Sequence, residues 1–185
     1  METNETTQQP TLVNHAVKFG GILAAISIVL VLLIYAIDYT LMAGFTFLII
    51  FLVVGLSFVI YAGINYRNAI GGYIPYGKAF FHGFVVLAVS GIISTVFNIL
   101  MYYVIDPNLP QNLTEAIIAN TEATMAKFGA PQDSIDEAIA KMRDEMPGNF
   151  TIVGLLWGYC KALIWYAIMC LITGLVVRKN QPETM

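Results

Sequence analysis

Residues 79–105 read AFFHGFVVLAVSGIISTVFNILMYYVI, a run of 27 residues without a single Asp, Glu, Lys or Arg. An α-helix rises about 1.5 Å per residue, so roughly 20 apolar residues cross the hydrocarbon layer of a bilayer. The run is therefore long enough to cross a membrane once as a helix and too short to cross it twice. It predicts a transmembrane helix near residues 80–104.

Three other stretches of the chain have the same character. Residues 19–37 and 39–66 contain 19 and 28 residues without a formal charge, and residues 146–177 contain only Lys161. They predict further transmembrane helices near residues 17–37, 43–65 and 151–176. We therefore expect an all-α fold, in which residues 16–177 form a four-transmembrane-helix bundle. A flexible cytoplasmic tail is expected at residues 1–15 and a second cytoplasmic tail at residues 178–185.

The overall composition excludes several classes of protein. Apolar residues (A, V, I, L, M, F, W, Y and C) make up 58% of the chain and charged residues only 11%, whereas soluble chains average about 45–50% and about 25%. The net charge of −3 has the wrong sign for a nucleic-acid-binding protein, which usually carries a basic face. The composition predicts an integral protein of a lipid bilayer and no nucleic-acid partner.

The positions of Lys and Arg predict the orientation of the bundle, because basic residues in short loops resist translocation. The first loop has no basic residue, and residues 106–149 have three against eight acidic residues. The opposite side of the predicted membrane carries five basic residues, Lys18, Arg67, Lys78, Arg178 and Lys179. We therefore expect both termini in the cytoplasm and residues 106–149 outside it.

The third loop is predicted to form an extracytoplasmic amphipathic helical hairpin between the third and fourth spans. Asn112 and Ser134 are positioned to cap its two helices, residues 129–131 separate them, and residues 147–148 end the second. Its apolar stripe over residues 112–146 either packs locally and on the bilayer surface, which we favour, or binds an envelope protein. The stripe comprises Leu113, Ile117, Ile118, Met125 and Phe128, then Ile135, Ile139, Met142 and Met146.

The segments on either side of the third span resemble a known family. Residues 67–80 read RNAIGGYIPYGKAF, and residues 102–107 read YYVIDP. With the acidic helical excursion that follows, they resemble an uncharacterised family of bacterial four-helix membrane proteins, known only as a domain of unknown function. The resemblance extends from about residue 12 to residue 180. It implies a multi-pass protein of the bacterial cytoplasmic (inner) membrane, and it implies no activity, cofactor or catalytic residue.

No arrangement of residues typical of an enzyme is recognisable. Cys160 and Cys170 are about 15 Å apart along one predicted helix, too far to form a disulfide bond. His15 and His82 stand outside any cluster with metal-ligand spacing, and no Ser/His/Asp set is visible. We therefore expect a non-enzymatic protein without a cofactor or a metal.

Small residues recur every four positions in three of the predicted helices, and such residues let membrane helices approach closely. We favour packing within one bundle, and a homodimer interface is the alternative. The small residues are Gly20 with Ala24, Gly21 with Ala25, Ser90 with Ser94, Gly91 with Thr95, and Gly154 with Gly158 and Ala162.

Lys161 is the candidate intramembrane polar site. A lysine at the centre of a transmembrane helix costs about 2.5–3.5 kcal/mol on insertion scales. Trp157 and Trp165 lie four residues before and after it, on the same helical face, and its ammonium group is expected to reach the depth of Asn98 and Tyr102. We favour a lysine that stabilises the bundle through cation–π and amide contacts. The alternative is a ligand, ion or proton site.

Two classes of function follow. The first, which we favour, is a non-enzymatic structural or interaction protein of the inner membrane. The second is a small transporter, channel or ligand-binding bundle centred on Lys161. The absence of proline from the interiors of the predicted spans and of a visible inverted repeat weighs against transport, although an oligomer could still form a pore.

Overall fold

The computed structural model describes residues 10–181. A 3-10 helix, Tyr39–Ala43, follows the first long helix, and a π-helical turn, Met101–Ile105, extends the third. The described residues contain no β-sheet, and the all-α prediction is confirmed. The α-helices are α1 (Leu12–Asp38), α2 (Phe45–Ala69), α3 (Tyr76–Leu100), α4 (Leu109–Lys127), α5 (Gln132–Asn149) and α6 (Ile152–Val177).

Four of these helices, α1, α2, α3 and α6, are long and apolar enough to cross a membrane. They correspond to the four predicted spans, but α1 begins at Leu12 rather than near residue 17. The Thr11 side chain accepts a hydrogen bond from the Asn14 backbone N–H at 3.4 Å, and this cap allows the helix to start before the apolar stretch. The helix therefore includes residues 12–15 of the predicted tail, and residues 1–9 lie outside the described part.

Helix α3 is central, because it packs along α1 on one side and along α6 on the other. A Cβ atom added to Gly20 of α1 would lie 2.8 Å from the Val89 Cβ atom of α3. A Cβ atom added to Gly91 of α3 would lie 2.8 Å from the Tyr166 hydroxyl oxygen of α6. These two predicted small residues therefore allow close helix packing within the bundle, whereas Gly21 would meet no atom within 4 Å.

The two ends of the bundle differ in charge and in structure. The terminal end comprises the starts of α1 and α3 and the ends of α2 and α6, and the hairpin end carries α4 and α5. Arg67 Nη1 donates a hydrogen bond to the Val177 carbonyl oxygen at 2.9 Å, and the Ile74 and Lys179 backbones pair at 2.9 and 3.0 Å. These contacts tie the ends of α2 and α6 to the start of α3, and they hold the first residues of the C-terminal tail.

The predicted caps of the two hairpin helices are wrong. Helix α4 begins at Leu109 rather than near Asn112, with Pro110 in its first turn, where the missing N–H of proline has no helical partner to lose. Helix α5 begins directly after Pro131, so Ser134 lies inside its first turn. The helix continues through Pro147, whose carbonyl oxygen accepts the Phe150 N–H at 3.3 Å in the last turn.

Helix α4 covers the hairpin end of the bundle. Leu109 and Leu113 are buried beside Met101, and Tyr35 is among the side chains packed around them. The Tyr35 hydroxyl donates a hydrogen bond to Asp106 Oδ2 at 2.9 Å. Much of the predicted apolar stripe is therefore covered by the chain itself. Phe128 is different, since 84% of it is exposed.

Candidate functional site

His15 of α1 and His82 of α3 lie side by side near the terminal end, although 67 residues separate them. His15 Nδ1 is 2.9 Å from His82 Nε2, and His15 Nε2 is 3.1 Å from Asn65 Oδ1 of α2. His82 is fully buried and His15 is 8% exposed. Three helices thus contribute to one polar cluster, which we call the histidine cluster.

Aromatic rings enclose both imidazoles of the histidine cluster. The Phe19 ring stacks on His15 with a centroid distance of 4.4 Å. The Tyr66 ring stacks on His82 with a centroid distance of 5.0 Å and an interplanar angle of 11°. Because each ring plane is fixed by stacking, the nitrogen atoms have little freedom to choose other partners.

The hydrogen bonds determine where the protons of the histidine cluster lie. Asn65 Oδ1 can only accept a hydrogen bond, so His15 Nε2 carries the hydrogen and donates it. When both imidazoles are neutral, His15 Nδ1 therefore has no hydrogen and accepts a hydrogen bond from the N–H of His82 Nε2. His82 Nδ1 is left as a buried lone pair without a hydrogen-bond partner among the described residues.

Sequence analysis missed the histidine cluster because its members come from three separate helices. The predicted start of the first span near residue 17 also left His15 in the N-terminal tail, and only the observed helix starts show the pairing. His15 lies three residues after the start of α1, and His82 lies six residues after the start of α3, so the two are about 5 and 9 Å from their helix ends. Both helices start at the terminal end, which places the two imidazoles at similar depths.

The residues predicted around Lys161 are only partly brought together. Trp157 and Trp165 are 64% and 63% exposed, and Lys161 lies between them on the same exposed face of α6. Within residues 10–181, no hydrogen bond or ion pair joins the Lys161 side chain to Asn98, Tyr102 or any other residue. Tyr102 instead packs edge-on against Phe150, with 5.4 Å between ring centroids.

A groove of about 880 Å³ lies at the hairpin end, between α4 and the junction of α5 with α6. Glu115, Ile118 and Glu122 line it from α4, Arg143 lines it from α5, and Phe150 lines it from the junction. The two glutamates are seven residues apart, so they lie two turns apart along one helical face. The groove therefore combines apolar side chains with an excess of negative charge.

Most carboxylates of the hairpin lack a basic neighbour. Of the seven on α4 and α5, only that of Glu145 is within 4.0 Å of a basic group in the described chain, the Lys141 ammonium at 3.9 Å. That pair is on the surface, where an ion pair contributes little to stability. The negative charge of the hairpin is therefore largely available to an external cation.

The described residues contain no group of three or more His, Cys, Asp or Glu side chains able to hold a metal ion. Cys170 is buried and Cys160 is exposed, and both are free. The histidine cluster has two imidazoles and one amide, and the Asn65 oxygen contacts the outer nitrogen of His15 rather than the gap between the rings. Its geometry is that of a hydrogen-bonded chain.

A family model described as "Protein of unknown function (DUF4199)" matches residues 18–179. The match covers α1 from residue 18 onward, all of α2, α3 and α6, and the hairpin between α3 and α6. No curated protein and no solved structure is significantly similar to the chain.

Proposed function

The chain belongs to this family of proteins of unknown function, and we propose that it is a non-enzymatic interaction protein of the bacterial cytoplasmic (inner) membrane. On this proposal, the four long helices form a multi-pass anchor, and the hairpin of α4 and α5 binds an envelope protein outside the cytoplasm. The proposed partner contributes a positively charged segment with at least one apolar side chain.

The distribution of charge supports the proposed orientation. Within the described residues, the terminal end carries five basic residues and no acidic one, whereas residues 106–149 carry eight acidic and three basic residues. Basic segments are retained in the cytoplasm. Both termini are therefore proposed to be cytoplasmic, with α4 and α5 on the opposite side.

The groove of the hairpin is the observation that carries the proposed function. Glu115 and Glu122 provide negative charge along its wall, and Ile118 and Phe150 provide apolar surface. Complementary charge steers association and fixes the register of a partner. The exposed Phe128 lies at the end of α4, and aromatic side chains are enriched among the residues that dominate binding energy.

Cysteine labelling of spheroplasts is expected to give a specific cross-linked adduct from the groove. In a variant with Cys160 and Cys170 replaced by serine, Ala119→Cys introduces a thiol in the groove lining. A membrane-impermeant thiol reagent with a photoreactive arm should modify this thiol and, after illumination, yield an adduct of one defined mass. Asn68→Cys is exposed at the terminal end and should not be modified; modification of Asn68→Cys but not Ala119→Cys would reverse the proposed orientation.

Charge reversal in the groove tests whether the cross-linked adduct arises from specific binding or from nonspecific proximity. The Ala119→Cys adduct should fall about tenfold with Glu115→Lys and Glu122→Lys together, because reversing two exposed charges of the groove repels a positively charged partner and slows its association. The matched control, Asp133→Lys with Glu137→Lys, makes the same charge change on exposed residues that do not line the groove. Equal losses from both double variants would contradict a groove-specific partner.

The second candidate function, a transporter, channel or ligand-binding bundle centred on Lys161, has one observation in its favour. Lys161 is exposed ten residues into α6, at a depth where charged side chains tend to be functional. A second copy of the chain or a small anion would supply the missing partner on that proposal, with Trp157 and Trp165 beside it and Asn98 and Tyr102 at a similar depth.

Replacement of Lys161 by methionine is expected to have a small effect. The side chain has no hydrogen-bond or ion-pair partner among the described residues, and polar contacts between membrane helices average only about 0.6 kcal/mol. Lys161→Met should therefore keep the wild-type melting temperature and complement a deletion strain. A folded variant that fails to complement would favour the second candidate, and Lys161→Arg would then distinguish a requirement for charge from one for shape.

A further inference from the structure

A cleft of about 530 Å³ opens between α1 and α2 at the terminal end, next to the histidine cluster. Asn14 and Lys18 are one helical turn apart on α1, and Asn65 faces them from α2. The cleft is at the end of the bundle that carries the basic residues, where a membrane-spanning helix meets lipid headgroups. Its lining includes Asn14, His15, Lys18, Phe19, Asn65 and Ala69.

The polarity of the cleft changes from the helix ends toward the middle of the bundle. Lys18 and Asn65 provide polar groups near the ends of α1 and α2, and both are exposed. Beyond the lining of the cleft, Tyr61 and Phe58 are one and two turns deeper than Asn65 on α2, with ring centroids 6.2 and 6.1 Å from that of Phe19, which does line it. A polar mouth that leads to an aromatic wall matches an amphiphile with a polar head and an acyl chain.

The mouth of the cleft is suited to an anion. The Lys18 ammonium has no ion-pair partner within residues 10–181, and the described terminal end contains no carboxylate. Asn65 turns its Oδ1 atom toward His15, which leaves the N–H groups of its Nδ2 atom as donors for a ligand. The histidine cluster thereby orients one of the donors of the cleft.

We infer that this cleft binds an anionic phospholipid, with the phosphate at Lys18, Asn14 and Asn65 and one acyl chain along Phe19, Tyr61 and Phe58. Lys18 supplies the charge, and the two asparagines supply neutral donors. Basic pockets between transmembrane helices on the cytoplasmic side are suited to acidic headgroups. The site is on the opposite end of the bundle from the proposed docking groove, so either proposal can fail without the other.

Native mass spectrometry of the full chain in detergent, with equimolar phosphatidylglycerol and phosphatidylcholine added, tests this site. The wild-type chain should retain phosphatidylglycerol in preference to phosphatidylcholine. Lys18→Gln should lower that retention about tenfold, the loss expected for one charge-assisted hydrogen bond, and Lys18→Arg should restore most of it. The matched control is Lys78→Gln, an exposed lysine at the same end that does not line the cleft, and it should change retention less than twofold.

Competition with inorganic phosphate identifies the source of the bound group. A lipid held by its headgroup and its acyl chain should remain bound in a large excess of inorganic phosphate. Displacement by phosphate would overturn the lipid assignment in favour of a free anion. Equal losses for Lys18→Gln and Lys78→Gln would overturn the site, because the retention would then depend on diffuse surface charge.

Discussion

Replacement of Gly20 by leucine is expected to destabilise the bundle by about 2 kcal/mol or more, whereas the same replacement at Gly21 should be tolerated. A Cβ atom at Gly20 would lie 2.8 Å from the Val89 Cβ atom and 2.9 Å from the Val86 carbonyl oxygen of α3. The carbonyl is part of the α3 backbone and cannot move aside like the end of a flexible side chain. Overpacking, through off-rotamer side chains and backbone shifts, typically costs about 1–3 kcal/mol and occasionally more.

Gly21 is the matched control because it is adjacent in the same helix and has no atom within 4 Å of an added Cβ atom. Thermal unfolding in detergent should therefore give a large fall in melting temperature for Gly20→Leu and little change for Gly21→Leu. Similar melting temperatures for the two variants would contradict the close approach of α1 and α3. Selective loss of a dimer in Gly21→Leu would instead support the homodimer interface that the repeated small residues also allow.

Gly20 and Gly21 show which features of the helix packing could be predicted from the sequence and which could not. Three uncharged runs of 19–28 residues and a fourth run of 32 residues that contains only Lys161 predicted the number of long helices, because the thickness of the bilayer sets their length. The four-residue spacing of small side chains identified helices that could approach closely. Which of Gly20 and Gly21 contacts α3 depends on the rotation of α1 about its axis, and that rotation is determined by packing among several helices.

The ends of the helices were less predictable than their interiors. Residues 147–148 were predicted to end the second hairpin helix, yet Pro147 lies within α5, and Pro110 lies in the first turn of α4. Proline interrupts a helix by removing one hydrogen bond and by colliding with the preceding turn. In the first turn of α4 the proline N–H would have no helical acceptor, and α5 ends only two residues after Pro147.

The polar clusters were predictable only where residues close in sequence form them. The stripe of Trp157, Lys161 and Trp165 follows from helical spacing alone and is present on α6. The histidine cluster required knowledge that α1, α2 and α3 bring His15, Asn65 and His82 together. The motifs flanking the third span predicted the family correctly, but a family of unknown function adds no site.

A double-mutant cycle on the histidine cluster is expected to show that its two imidazoles act as a unit. Each single variant, His15→Leu or His82→Leu, should destabilise the chain by about 1–3 kcal/mol, because the remaining imidazole is buried with an unsatisfied nitrogen. The free energy of unfolding of the double variant should fall by about 1 kcal/mol less than the sum of the falls in the two single variants, because the double variant leaves neither imidazole buried without its partner. Unfolding by sodium dodecyl sulfate in mixed micelles measures the three free energies.

The loss of ring stacking in these variants does not affect the coupling free energy obtained from the cycle. His15→Leu loses the contact with Phe19 and His82→Leu loses the contact with Tyr66, but both losses recur in the double variant and cancel in the cycle. The control cycle pairs His15→Leu with Thr95→Val, which removes a buried hydrogen bond within α3 to Gly91, and distant sites of this kind should be additive. Additive effects for His15 and His82 would mean that the 2.9 Å contact contributes no coupling.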